Sequence, residues 1–252
     1  MKKKLKKENE VKFNKLTKKA ILLFIIVIIS SIPVINEIIK PFKAEIAFRE
    51  GYFQLSRGRY DYAVQEYKKA TALAPWESHY MLSLAKTYER WGQSLKDTNQ
   101  KIATYNEISA IYKKMIKLDD KNPWYQNGLG TAYLNLSYLK PSESHIYLSL
   151  AEKYIKKAAE NDTFNPLFQI NYAFFLHQQE KIDQAIIFYK KSLEYDNRLI
   201  EAKYNLGDIY RKKNDYIQSN KYYLNAYNQD PNFENIKLAV ASTFIYLNKY
   251  ND

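Results

Sequence analysis

The sequence predicts an all-α chain: a solenoid of about five helix-pair repeats closed by a C-terminal capping helix and preceded by a single transmembrane helix. Three observations carry this. The chain holds 24 Tyr but only 6 Gly among 252 residues, with Lys, Leu, Ile and Ala abundant, which favours helices over turn-rich β structure. The run Ala20–Ile35, AILLFIIVIISSIPVI, has no charged residue across 16 positions. From residue 44 onward, small and aromatic residues return at a step of 34.

The basic N-terminus comes first. Residues 1–19, MKKKLKKENEVKFNKLTKK, carry nine Lys against Glu8 and Glu10, or +7 of the net +12. The remaining 30 basic and 25 acidic residues leave +5, an ordinary soluble surface. A nucleic-acid binder would concentrate its charge on the folded part, so no nucleic-acid partner is expected.

The apolar run spans about 24 Å as a helix, against a hydrocarbon core of roughly 30 Å. Lys18, Lys19 and Lys40 can snorkel to cover the difference. A cleaved signal peptide has the same start but needs small residues at −3 and −1. Ser30 and Ser31 are adjacent, and Phe42 stands two before Ala44. A buried core helix would not carry nine flanking lysines. An uncleaved signal anchor over 20–36 is favoured. The lysine excess before it, against Lys40, Lys43 and Arg49 after it, sets the tail 1–19 in the cytoplasm and the rest beyond a bacterial cell membrane. With no cysteine, disulfides, thiolate metal sites, a cysteine nucleophile and a lipidated N-terminal Cys are excluded.

The repeat occupies 44–252. Gly51 and Ala85 are 34 apart, as are Ala173, Gly207 and Ala241 in succession. Ala185 and Ser219 keep the step, and so do Tyr189 and Tyr223, Leu206 and Val240, Tyr210 and Phe244. This pattern resembles the tetratricopeptide repeat (TPR). The resemblance implies two antiparallel helices per unit, with small residues where they cross closely. Aromatics such as Tyr67, Tyr88, Tyr112 and Tyr133 fill the space between units. Pro75 and Pro231 end second helices, and Pro123 and Pro166 start first helices. The expected units are 44–77, 78–122, 123–165, 166–199 and 200–233, with a cap over 234–248. Units two and three are 11 and 9 residues too long. QSLKDTNQKIATYNE lacks Pro and Gly and keeps helical spacing, so a lengthened helix pair is expected there. Pro141-Ser142 reads as a fresh helix start.

Catalytic motifs do not emerge. His79, His145 and His177 form no H-E-x-x-H pair, though His177 falls on the groove face of unit four. Gly128-Leu129-Gly130 lies inside a predicted helix, where packing explains it. Asp119 and Asp120 sit in a turn between units, and Asn135 and Asn161 begin formal glycosylation sequons. No enzyme activity, metal or cofactor is expected. The resemblance implies binding of a protein or peptide along stacked first helices. By register the groove is lined by Tyr52, Lys86, Arg90, Thr131, Asn171, Phe174, Asn205, Asp208 and Arg211. Asn171 and Asn205, one repeat apart, could hold a ligand backbone. Phe48 stands where the carboxylate-clamp subset has its first lysine, so that function is not carried over.

A second resemblance covers the order of segments. The apolar run leads into KPFKAEIAFREGYFQLSRGRYDYAVQEYKKATALAPWESHYMLSLAKTY, then a lengthened repeat, then NPWYQNGLGTAYLNLSYL. This looks like the TPR-bearing C-terminal region of bacterial O-antigen ligase and polymerase-type membrane proteins. It implies an accessory or detached tail beside a multispanning glycan-assembly protein. The polytopic catalytic part of that family is absent from this sequence.

Overall fold

The computed structural model describes residues 2–250, excepting the side chains of 2–16, 18, 28, 29, 32, 33, 35, 36, 249 and 250. Most of the basic tail's side chains thus fall outside the described set. The described residues form helices and no strand: α1 Lys2–Ser56, α2 Tyr60–Leu73, α3 Ser78–Ser94, α4 Thr98–Leu118, α5 Pro123–Leu139, a 3-10 turn Pro141–Glu143, α6 Ser144–Asn161, α7 Pro166–Gln178, α8 Ile182–Tyr195, α9 Ile200–Lys212, α10 Tyr216–Gln229 and α11 Ile236–Tyr250. They fall into two compact units, Met1–Thr87 and Tyr88–Asp252, with the boundary inside α3.

In the first unit, the expected anchor and the first repeat helix are one element, α1, rather than two. No glycine interrupts residues 36–44, and Pro41 removes only one backbone donor. Ile21 to Val27 are exposed on α1. Among the described residues no helix is long and apolar enough to cross a membrane. Ile28, Ile29, Ile32, Pro33, Ile35 and Asn36 of the expected anchor lie outside that set. The last turns of α1 bury Ala44 and Ala47 with Ala70, Ala74 and Tyr80, flanked by Phe48 and Leu73. Gly51 lies against Tyr67, and a Cβ there would stand 2.8 Å from the ring. The turn into α2 needs a left-handed residue, and Gly58 supplies it at φ 72°. Phe48, at the clamp-lysine position, is surrounded by the rings of Tyr67, His79 and Tyr80 at 4.8–5.4 Å.

In the second unit, from α4 to α11, each helix packs on the next in chain order, the arrangement of a solenoid. The 34-residue pattern has its expected cause. Gly207 lies under Tyr223, where a Cβ would stand 2.6 Å from the ring. In the lengthened third repeat, Ile155 takes the aromatic's place over Gly130. The extra residues of unit two lengthen helices: α3 ends at Ser94, and Asp97 caps the 21-residue α4 by accepting from the Gln100 N–H at 2.8 Å. Pro141 starts the 3-10 turn that leads into α6. Asn122 and Asn165 cap α5 and α7, each with proline in the first turn.

Polar side chains fasten successive units. Gln126 donates to the Asp120 carbonyl at 2.7 Å, and Gln169 donates to the Ala159 carbonyl at 3.0 Å. The first carbonyl lies in the connection between α4 and α5 and the second in the last turn of α6, where the helix ladder offers no donor. At the C-terminus α11 covers α10 through Ile236, packed with Tyr223 and Ala226. Its own Leu238, Phe244 and Ile245 remain exposed.

Candidate functional site

The first helices of units four and five, α7 and α9, frame two clefts that meet at Asn205. The first has a volume of about 440 Å³. Its walls are Leu167, Ile170 and Phe174 from α7, Leu199 and Tyr204 at α9, and Phe233 beyond α10. Asn171 and Asn205 supply its amides, and Glu201 and Glu234 its carboxylates. Tyr204 and Phe233 meet edge to face at 5.6 Å. The second cleft, of about 620 Å³, is lined by His177, Gln178, Glu180, Ile182, Asn205, Asp208, Ile209, Lys212 and Lys213.

The first cleft is made of residues one repeat apart. Leu167 and Glu201, Ile170 and Tyr204, Asn171 and Asn205, Leu199 and Phe233 are each separated by 34. Equivalent positions on stacked helices face the same way, so two adjacent repeats build both walls.

Of the nine lining residues expected from register, Asn171, Phe174, Asn205 and Asp208 come together here. Arg211 does not line either cleft. Its guanidinium donates to Asp208 Oδ1 at 2.9 Å, which commits it to holding that carboxylate. Arg90 and Thr131 are exposed on α3 and α5 and line neither cleft. Tyr52 and Lys86 are exposed residues of the first unit. Asn171 is partly engaged already, donating to Asn127 Oδ1 on α5 at 3.1 Å. Tyr204, Phe233, Glu201, Glu234 and Asn127 escaped the register argument. The signal that finds two of them, Glu201 and Tyr204, is the 34-residue step itself, applied to the charged and apolar positions flanking each Asn.

The electrostatics are local. Burial pushes the Asp208 carboxyl up, but the bonds from Arg211 and from Tyr223 (2.8 Å) outweigh it and hold the group below its ordinary value. Asp208 is therefore an ionised, fixed acceptor. His177 is 9% exposed, and its Nδ1 is buried without a hydrogen-bond partner among the described residues. Burial, then the nearby Lys212, pushes its imidazole down, against an upward pull from Asp208. Lys213 is held by Asp183 at 2.9 Å. Among the described residues no group of three His, Cys, Asp or Glu stands ready to hold a metal.

The face between α7 and α9 is thus a two-lobed groove on a stack of helix pairs. Residues 168–198 and 200–233, which build it, match the tetratricopeptide repeat family model; the chain carries tetratricopeptide repeats. Solved structures share the fold. TTC0263 of Thermus thermophilus, a thermophilic TPR protein, is 18% identical with a TM-score of 0.59, covering 80% of this chain and 99% of its own. YrrB, described as a TPR protein with an unusual peptide-binding site, is 18% identical with a TM-score of 0.53, covering 78% and 89%. MamA of Desulfovibrio magneticus is 13% identical with a TM-score of 0.60, covering 76% and 97%. Among curated proteins, the human protein O-mannosyl-transferase TMTC1 is 25% identical over 209 residues. That match takes in 79% of this chain but only 21% of the relative's length.

Proposed function

We propose that the chain is a membrane-anchored scaffold whose TPR array binds an extended peptide segment of a partner protein in the groove between α7 and α9. The observation that carries this is Asn205. It stands where the two clefts meet, half-buried, and its side-chain amide makes no hydrogen bond to another described residue. A primary amide offers both a donor and an acceptor, so it can hold a main-chain peptide group without reading sequence. Phe174, Tyr204 and Phe233 then receive a side chain beside it. The exposed apolar residues Ile21–Val27 support the anchor, and the lysine excess supports a cytoplasmic N-terminus with the array outside the cell membrane.

The test compares affinity capture from native membranes by the natural chain and by the Asn205→Ala, Phe174→Ala double variant. The partner should be lost from the variant while its helical circular dichroism is unchanged. Equal recovery by both would refute the groove assignment. Release of the intact chain by carbonate washing would remove the anchor. Protection of the array from protease in intact spheroplasts would reverse the topology.

A second reading is favoured by one finding: the curated relative is by name a protein O-mannosyl-transferase, of which this chain matches about a fifth. On that reading the array is an accessory or tail component beside a multispanning glycan-assembly protein, as the O-antigen ligase resemblance implies. Recovery of such a protein through the groove would select it.

A further inference from the structure

The first cleft, between α7 and α9, combines aromatic walls with carboxylates that nothing neutralises. Phe174, Tyr204 and Phe233 line it together with Glu201 and Glu234, both exposed. Neither carboxylate has an ion-pair or hydrogen-bond partner among the described residues. Among those residues no Lys or Arg lines the cleft. The basic residues of the surrounding elements are engaged elsewhere. α7 has none. Arg198 holds Asp196 at 3.0 Å, Lys203 donates to Gln229 at 3.0 Å, Arg211 holds Asp208, and Lys237 donates to Asn232 at 3.2 Å. Lys212 lines the second cleft. The charge of Glu234 is felt within the cleft: burial, then Asp208 and Glu234, push the Tyr204 hydroxyl up, against a downward pull from Arg211.

Packing does not call for these acids. One repeat earlier their places are held by Leu167 and Ile200, so the repeat accepts an apolar residue at both. Glu201 lies in the first turn of α9 and Glu234 just before α11, where an exposed acid gains a little from the helix dipole. At Glu234 that gain is smaller than the cost of its backbone. It adopts φ 39°, a conformation easy for glycine and unfavourable for a residue with a side chain.

We propose that the side chain this cleft receives from the bound peptide is basic, an arginine or a lysine. A cation over a ring face is attracted by the ring quadrupole, and Glu201 and Glu234 supply the opposite charge. The long apolar stem of either residue suits the walls formed by Leu167 and Ile170. Asn205 holds the peptide main chain beside it, so the assignment rests on the peptide reading of the groove. The second cleft adds no such preference. There Asp208 is held by Arg211 and Lys213 by Asp183, while Glu180 and Lys212 are opposite in sign. The chain as a whole carries +12, so selection of a basic peptide runs against its overall charge.

Mixtures of peptides of about eight residues, acetylated and amidated to remove terminal charges, provide the test. Each fixes one central position as arginine, lysine, citrulline, glutamate or leucine and leaves the others degenerate. Citrulline keeps the shape of arginine without its charge. The full-length chain, solubilised from membranes in neutral detergent, should be retained at least about fivefold more by the arginine and lysine mixtures than by the other three. The Glu201→Gln, Glu234→Gln double variant should retain no preference for arginine over citrulline. Both sites are exposed, and unchanged helical circular dichroism checks the fold. Retention that needs Asn205 and Phe174 but does not distinguish arginine from citrulline would overturn the basic assignment and leave the peptide groove standing. An arginine preference that survives in the double glutamine variant would do the same. Retention that is indifferent to the Asn205→Ala, Phe174→Ala variant, or absent for every mixture, would overturn both.

Discussion

Tyr189 and Tyr223 occupy the same place in successive repeats, 34 residues apart, yet removing the hydroxyl should act in opposite directions. Both rings are buried, at 0% and 1% exposure. The Tyr223 hydroxyl donates to Asp208 Oδ1 at 2.8 Å. The Tyr189 hydroxyl is buried with no hydrogen-bond partner among the described residues. A hydrogen bond to a charged group is worth about 1.5–3 kcal/mol, while an unsatisfied buried hydroxyl costs about 1–3 kcal/mol in desolvation. Tyr223→Phe should therefore destabilise by about 2 kcal/mol, and Tyr189→Phe should stabilise by about 1 kcal/mol. At about 2–4 °C per kcal/mol for a unit of this size, the first variant melts roughly 4–8 °C lower and the second roughly 2–4 °C higher. Thermal unfolding of the full chain followed at 222 nm measures both, and hydrogen exchange in α8 and α10 locates the effect. If Tyr189→Phe is as destabilising as Tyr223→Phe, the hydroxyl has a partner and the reasoning fails.

Three further outcomes follow from the repeat geometry. Glu180 adopts φ 58° at the position where the first repeat has Gly58; left-handed backbone costs a side-chain-bearing residue about 1–2 kcal/mol, so Glu180→Gly should raise stability by about 1 kcal/mol, whereas a drop in urea midpoint would refute the strain. Gly207→Ala places a Cβ 2.6 Å from the buried Tyr223 ring and should cost about 3 kcal/mol in chemical denaturation. The His177 imidazole is pushed down by burial and by Lys212, so the unfolded chain takes up its proton first as pH falls. Stability should be full above about pH 6.5 and decline as pH drops through the folded value, and His177→Gln should flatten that slope in pH-dependent urea melts.

The register of small and aromatic residues located the crossings because a close approach leaves no alternative at Gly51 or Gly207. It also located Asn171, Phe174, Asn205 and Asp208 on one face, since a residue's direction on a repeat helix is fixed by its place in the period. Arg211 shows the limit. Register fixes its direction, but its commitment to Asp208 depends on a neighbour three residues away and on the buried Tyr223. Phe233 and Glu234 were out of reach for a different reason. They lie outside the first helix, in the connection to α11, where helical periodicity says nothing. The continuity of α1 was likewise illegible, because a proline at 41 reads as a break and the packing of Ala44 and Ala47 on α2 is tertiary.

That continuity changes how the first repeat would explore its surroundings. Were residues 36–44 a flexible linker, their ends would wander over about 15 Å, and the repeat would sweep a hemisphere above its attachment point. As helix the same stretch is a shaft of about 12 Å. If residues 20–36 are seated in a membrane as proposed, any tilt or rotation imposed on that shaft would be delivered to the first repeat undamped. A partner embedded in the same bilayer would then meet the repeat at one height and one bearing, its local concentration set by alignment rather than by tether length.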